Sequence, residues 1–155
     1  MASTLYASLI KRFLALSAPD QPALAEEPGA LQFTVGEHTC TVFALEGGHQ
    51  LVMQCEVMGL VDLGSERMAP ALRMLHGLNW AAASRTGIVA LVDERDRVLV
   101  SKTLEIRTLD AHQLADRMAV LLDSAASLGD LLKALPAPQT QSARPSMPPH
   151  HGSFA

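Results

Sequence analysis

Cys40, Cys55 and six histidines are the side chains of this 155-residue sequence best suited to chemistry. The two thiols could close a disulfide or supply a pair of soft metal ligands. No histidine stands at ligand spacing from either, so the zinc signal is weak and reduced core cysteines are the expectation. His38 and His49 fall in turns and read as solvated residues. His76 lies on a helix, where it could face a partner copy or simply water. His112 stands near the start of another helix, and His150-His151 could hold a metal only loosely, lacking a supporting second shell. No serine, cysteine or carboxylate is placed for a histidine to activate it, so no general base or nucleophile emerges. Gly47-Gly48 has neither a GxGxxG nor a GK[ST] context, and so no phosphate cradle. Asp93-Glu94-Arg95-Asp96-Arg97 reads as a charged hairpin turn rather than a metal site. The expectation is no catalytic residue, no metal and no cofactor, and function must then reside in surfaces.

Bulk composition narrows the partners of such surfaces. The chain is 48% hydrophobic and 18% charged, with a net charge of −4. Charge lies below the usual quarter. Either apolar surface is covered by a partner, or a large core and a weakly charged tail account for the deficit. Lys11-Arg12 is the nearest thing to a basic cluster, so nucleic acid and anionic membranes are not expected partners. Met1 to Leu16 lacks a charged region ahead of an apolar run and does not read as a signal peptide, and no segment has the length of a membrane span. A bacterial-cytosolic protein with reduced thiols is expected.

The elements that position these residues follow from periodicity. Leu5, Leu9, Phe13 and Leu16 recur at helical spacing, with Ser3 or Thr4 as N-cap, and Pro19 and Pro22 end that helix. Leu31, Phe33 and Val35 alternate with Gln32 and Thr34 as a half-buried strand. Gly36-Glu37 then turns the chain into Thr39–Leu45, and Gly47-Gly48 is read as a two-residue turn into Gln50–Val57.

Register follows from the two turns. Glu46 opposite His49 makes each pair of the second hairpin sum to ninety-five, and Val35 opposite His38 sets the first. Leu31, Phe33, Val35, Cys40, Val42, Ala44, Leu51, Met53 and Cys55 then share one apolar face. If 46:49 is a hydrogen-bonded pair, so is 40:55, which sets the cysteines at the wider cross-strand separation. The opposite face carries Gln32, Thr34, Thr41, Phe43, Leu45, Val52, Gln54 and Glu56. Phe43, Leu45 and Val52 are apolar on this wetter side, as a docking patch or beneath another part of the fold.

Ser65 to Ala83 is the second helix, with Pro70 early enough that regular helix is expected from about Ala69. A hairpin spans Gly87–Lys102. Asp110 with Gln113 forms a capping-box pattern ahead of Leu114, Met118, Leu121, Leu122, Ala125 and Leu128, in a helix running to about Leu135. Residues 1–135 are expected to form one domain. Residues 136–155 hold five of the nine prolines and are expected to be a disordered tail.

The order α-β-β-β-α-β-β-α, an α+β fold with an antiparallel sheet, is similar to that of the class I type III secretion chaperones, the Tir chaperone family. Leu72, Leu75, Leu78 and Asn79, the small residues Ala81 to Ala83, and Gly87-Ile88-Val89-Ala90-Leu91 resemble its Leu-rich helix, Asn, then glycine before a strand. Asp93, Arg97, Leu99 and the strand to Leu104 resemble its next strand pair, and Asp110, Leu114 and Leu121-Leu122 its final helix. The resemblance covers about residues 4 to 135; the tail and the apolar stretch Met58–Leu63 depart from it. It implies a homodimer that binds the N-terminal segment of a secreted effector in extended form and keeps it soluble and fit for export, without nucleotide. Effector contacts would come from Leu5, Leu9, Phe13, Phe43, Leu45 and Val52. The dimer interface would come from Leu72, Leu75, Leu78 and Trp80. Each set could instead be intramolecular core, and a non-catalytic interaction or regulatory module of the same fold is the competing reading.

Overall fold

Three helices and five strands form in the expected order in a computed structural model, which describes residues 4–17, 29–82 and 85–137. They are α1 (Thr4–Ser17), β1 (Ala30–Val35), β2 (His38–Ala44), β3 (Gln50–Gly59), α2 (Ser65–Ala82), β4 (Ile88–Val92), β5 (Arg97–Glu105) and α3 (Ala111–Lys133). The strands make one sheet in the order β1-β2-β3-β5-β4, antiparallel throughout. From residue 138 the proline-rich segment lies outside the described residues.

Both expected registers are present. Val35 pairs with His38, Phe33 with Cys40, Val42 with Met53 and Cys40 with Cys55. The second turn differs from a two-residue loop. The Leu45 N–H donates to the Gln50 carbonyl at 2.9 Å, and the Gly48 N–H donates to the Leu45 carbonyl. The loop is therefore four residues, Glu46 to His49, closed one pair lower with the sum unchanged. Gly47 and Gly48 still supply its positive φ values, 89° and 67°. Parity flips in consequence: 45:50 is hydrogen-bonded, so 40:55 is a non-hydrogen-bonded pair, the closer kind.

His38 opens β2 rather than lying in a turn, and its Nδ1 donates to the Glu56 carbonyl at 3.0 Å. Helix α2 starts at Ser65 and carries Pro70 inside. The missing Pro70 N–H deprives only the Glu66 carbonyl, at an exposed residue near the helix start that water can reach. The Met58–Leu63 stretch completes β3 past a bulge and turns through a 3₁₀ segment that buries Leu60 and Leu63. The capping box at α3 is present in both directions, Gln113 N–H to Asp110 at 2.8 Å and Asp110 N–H to Gln113 at 2.9 Å.

The core lies on one face of the sheet. Leu114, Met118, Leu121, Ala125, Leu128 and Leu132 form the buried stripe of α3, against Leu51, Met53, Cys55, Val98 and Val100. Helix α1 lies beside α3, adding Tyr6, Leu9 and Phe13. The Tyr6 hydroxyl donates to the Val42 carbonyl at 2.9 Å, and burial pushes its pKa up to about 12. The Phe13 and Phe33 rings meet tilted at 54°, with centroids 5.8 Å apart. Helix α2 packs along β4 through Ala71 and Leu75. None of the outward-facing sheet residues belongs to this core.

Candidate functional site

The sheet face that no helix covers among the described residues is a grid set by the registers. One row reads Ala30, Phe43, Val52, Thr103; the next Gln32, Thr41, Gln54, Ser101, Val89; the third Thr34, Thr39, Glu56, Leu99, Leu91. Two apolar corners, Phe43 with Val52 and Leu99 with Leu91, flank a polar centre. Gln32, Thr39, Thr41, Gln54, Glu56, Arg97 and Leu99 line a shallow depression of about 50 Å³ there. Amides and hydroxyls at its floor are suited to hydrogen-bonding an extended chain while the apolar corners take its side chains.

The charged group at the rim is already engaged. Arg97 donates to Glu56 at 3.0 Å and to Asp93 at 2.7 Å. The Asp93 Oδ1 also accepts from the N–H groups of Arg95 and Arg97, closing the β4–β5 turn. Burial pushes the Asp93 carboxyl up, but these hydrogen bonds outweigh it and hold it below the usual carboxylate range. Because the folded-state value lies below the unfolded one, near about 3.9, the turn's contribution is complete above that pH and is lost as pH falls through the folded value. Chemical denaturation of the parent and of Asp93→Asn across this range should show a parent advantage at neutral pH that disappears in acid. A pH-independent difference would mean that the carboxylate's charge is not what holds the turn.

The expected contact residues divide between surface and core. On α1, Leu5 is 55% exposed, whereas Leu9 and Phe13 fill the chain's own core. Phe43 is half-buried and Leu45 exposed, but Val52 is only 7% exposed, screened by its neighbours in the grid. On α2, Leu75 is buried and Leu78 packs on the core, while Leu72 is exposed and Trp80 is 86% exposed. Leu72, Leu75 and Leu78 do not share a face, because steps of three drift back by about 60° each at 3.6 residues per turn.

Sequence reasoning missed part of this surface. Leu91 and Leu99, the latter only 8% exposed, form the second apolar corner, yet they lie in the unbroken apolar runs Ile88–Val92 and Val98–Val100, so alternation could not assign a face. Exposed Val61 sits in the 3₁₀ turn, beyond any periodic signal. Asn79 was visible as a residue but not in its task. Its amide donates to the Ala90 carbonyl at 2.6 Å and accepts from the Ala90 N–H at 2.7 Å. The Asp93 N–H to Arg97 carbonyl bond makes 90:100 a non-hydrogen-bonded pair, so these Ala90 groups point away from β5. Asn79 thus occupies the outer edge of β4 as a further strand would. Among the described residues, no group of three or more His, Cys, Asp or Glu is placed to hold a metal ion, and no helix is long and apolar enough to cross a membrane.

Residues 8–128 match the sequence model of the Tir chaperone protein (CesT) family. The chain belongs to that family. No curated protein matches the sequence. Among solved structures, the ExsC–ExsE complex contains a chain 21% identical to this Tir-family member, at a TM-score of 0.70, covering 88% of this chain and 100% of the other. A chain of the HopA1–SchA chaperone-effector complex is matched at 15% identity and a TM-score of 0.65, covering 81% of this chain and 94% of that one. The structure of the Yersinia pestis type III secretion chaperone SycH with a stable fragment of YscM2 gives 22% identity and a TM-score of 0.58, covering 79% and 98%. At these identities the likeness shows the fold, and it is the Tir-family match that carries membership.

Proposed function

We propose that this chain is a cytoplasmic, non-enzymatic type III secretion chaperone. As a homodimer it binds the N-terminal segment of a secreted effector in extended form and keeps it soluble and export-competent. The observation that carries the reading is the Tir-family match over residues 8–128, on a fold whose described residues leave one sheet face without a helix and with apolar corners. The structural relatives named above are themselves complexes, among them chaperone with effector.

Leu5, Phe43 and Leu45 meet the effector directly, and Leu9, Phe13 and Val52 support them from within. Edge strand β1 offers backbone groups for pairing with an extended chain. Ordering that chain costs free energy, so many contacts must act together. Helix α2 contributes the dimer contacts through Leu72 and Trp80, with Leu75 and Leu78 packed behind.

Co-expression with the N-terminal segments of type III effectors from the same bacterium, followed by affinity capture and limited proteolysis, tests this. One or two segments protected near the effector N-terminus are expected. Capture only of folded regulatory proteins through compact domains would favour an interaction module instead. Phe43→Asp should weaken effector binding by about 100-fold or more, as loss of an aromatic anchor does, with little change in melting temperature. Val52→Asp should unfold the chain, since it buries a charge. Unchanged effector affinity in Phe43→Asp would remove this sheet corner from the binding surface.

A further inference from the structure

Cys40 and Cys55, which effector binding leaves unused, are the only cysteines of the chain and are both completely buried. They are directly opposite on β2 and β3 in a non-hydrogen-bonded pair, with sulfurs 3.5 Å apart. We propose that the pair is an oxidation site, at which a small peroxide converts the two thiols of the folded chain into an internal cross-strand disulfide.

The backbone is already placed for that bond. Non-hydrogen-bonded partners have Cα atoms about 4.5 Å apart, inside the 4.4–6.8 Å span of disulfides but at its short end. The bond therefore forms with little movement and carries strain, which makes it readily reduced again. The Cys40 S–H donates to the Cys55 sulfur. That bond favours the thiolate of Cys55 and disfavours that of Cys40, lowering one pKa and, with burial, raising the other. Cys55 is accordingly the attacking sulfur. Its thiolate takes one peroxide oxygen, the O–O bond breaks, and the released hydroxide recovers the Cys55 proton as water. The Cys40 sulfur then displaces hydroxide from the Cys55 sulfenic acid. The S–S bond forms, the S–O bond breaks, and the Cys40 proton leaves in a second water. Two electrons pass from the sulfurs to the peroxide.

Peroxide enters through local opening of the core, so the reaction is slow but internal. With no other cysteine in the chain, no exposed thiol competes for the sulfenic acid.

Exposure of the folded full-length chain to hydrogen peroxide, followed by quenching, unfolding, thiol counting and peptide mass mapping, decides the matter. Both thiols should disappear together with the loss of two hydrogens, in one linked peptide pair that dithiothreitol restores. In Cys40→Ala and in Cys55→Ala the hydrogen bond that distinguishes the two sulfurs is gone and the remaining thiol has no partner, so its sulfenic acid should persist and be trapped by a sulfenic-acid reagent, with no internal disulfide. Persistence of both thiols in the folded chain, under peroxide that oxidises the unfolded chain, would overturn the proposal. So would sulfinic acids or intermolecular bridges as the main products.

Discussion

Trp80→Asp sediments as a monomer at concentrations where the parent chain, on the proposed reading, is a dimer. Trp80 is the single tryptophan and is 86% exposed, on a helix face that also exposes Ala69, Leu72, Arg73, His76, Gly77 and Ala81. The small residues allow a second helix to come close, and an indole buried between two helices is a typical energetic anchor. A two-fold interface counts each substitution twice. At about 2 kcal/mol or more per anchor, the dimer weakens by roughly 10³-fold. Because the side chain touches little within its own protomer, the monomer's fold should tolerate the change to within about 0.5 kcal/mol. Sedimentation velocity across a concentration series measures the first quantity and denaturant unfolding the second. An unchanged association constant would detach Trp80 from the dimer contact. Leu75→Ala provides the contrast, since it opens a cavity in the core and costs about 2–5 kcal/mol of folding stability.

Asn79→Ala lowers stability by about 2–4 kcal/mol, because two backbone groups of the nearly buried Ala90 lose their partners at once. For a chain of this size the loss corresponds to a fall in melting temperature of roughly 10 °C. Asn79→Asp separates the two bonds: its carboxylate still accepts from the Ala90 N–H but faces the Ala90 carbonyl with like charge. It should therefore remain well below the parent. Both variants also open the β4 edge to pairing with other chains, which light scattering would register as concentration-dependent association. Melting temperatures equal to the parent's would mean that water replaces the amide without loss.

Local pattern carried much of this architecture. Two turns and the alternation of apolar residues placed nine side chains on one face, and the register survived a wrong loop length because closing the loop one pair lower leaves the sum unchanged. The parity of hydrogen bonding did not survive, and with it went the closeness of the two thiols. The capping box at Asp110 was legible because both partners lie within one turn. Burial on α1 and α2 was less so. A helix with apolar residues on more than one side, such as α2 with Leu75 inward and Trp80 outward, presents one signal for two destinations. The flanking of the β4 edge by Asn79 and the neighbouring of β3 with β5 depend on elements distant in sequence, for which neither periodicity nor turn chemistry offers a cue.

The position of β3 between β2 and β5 also has a kinetic meaning. Its pairing with β2 needs only a short loop, whereas Gln50 meets Glu105 only after the chain segment holding α2 and β4 has been drawn in. Loop-closure entropy places this non-local pairing late, after the hairpins. Amide protons shared between β3 and β5 should accordingly exchange only on global unfolding, while those of β1 escape through smaller openings. Until that last seam closes, a newly made chain displays the two unpaired edges of β3 and β5 to its surroundings, and so is briefly in need of the protection it is proposed to give.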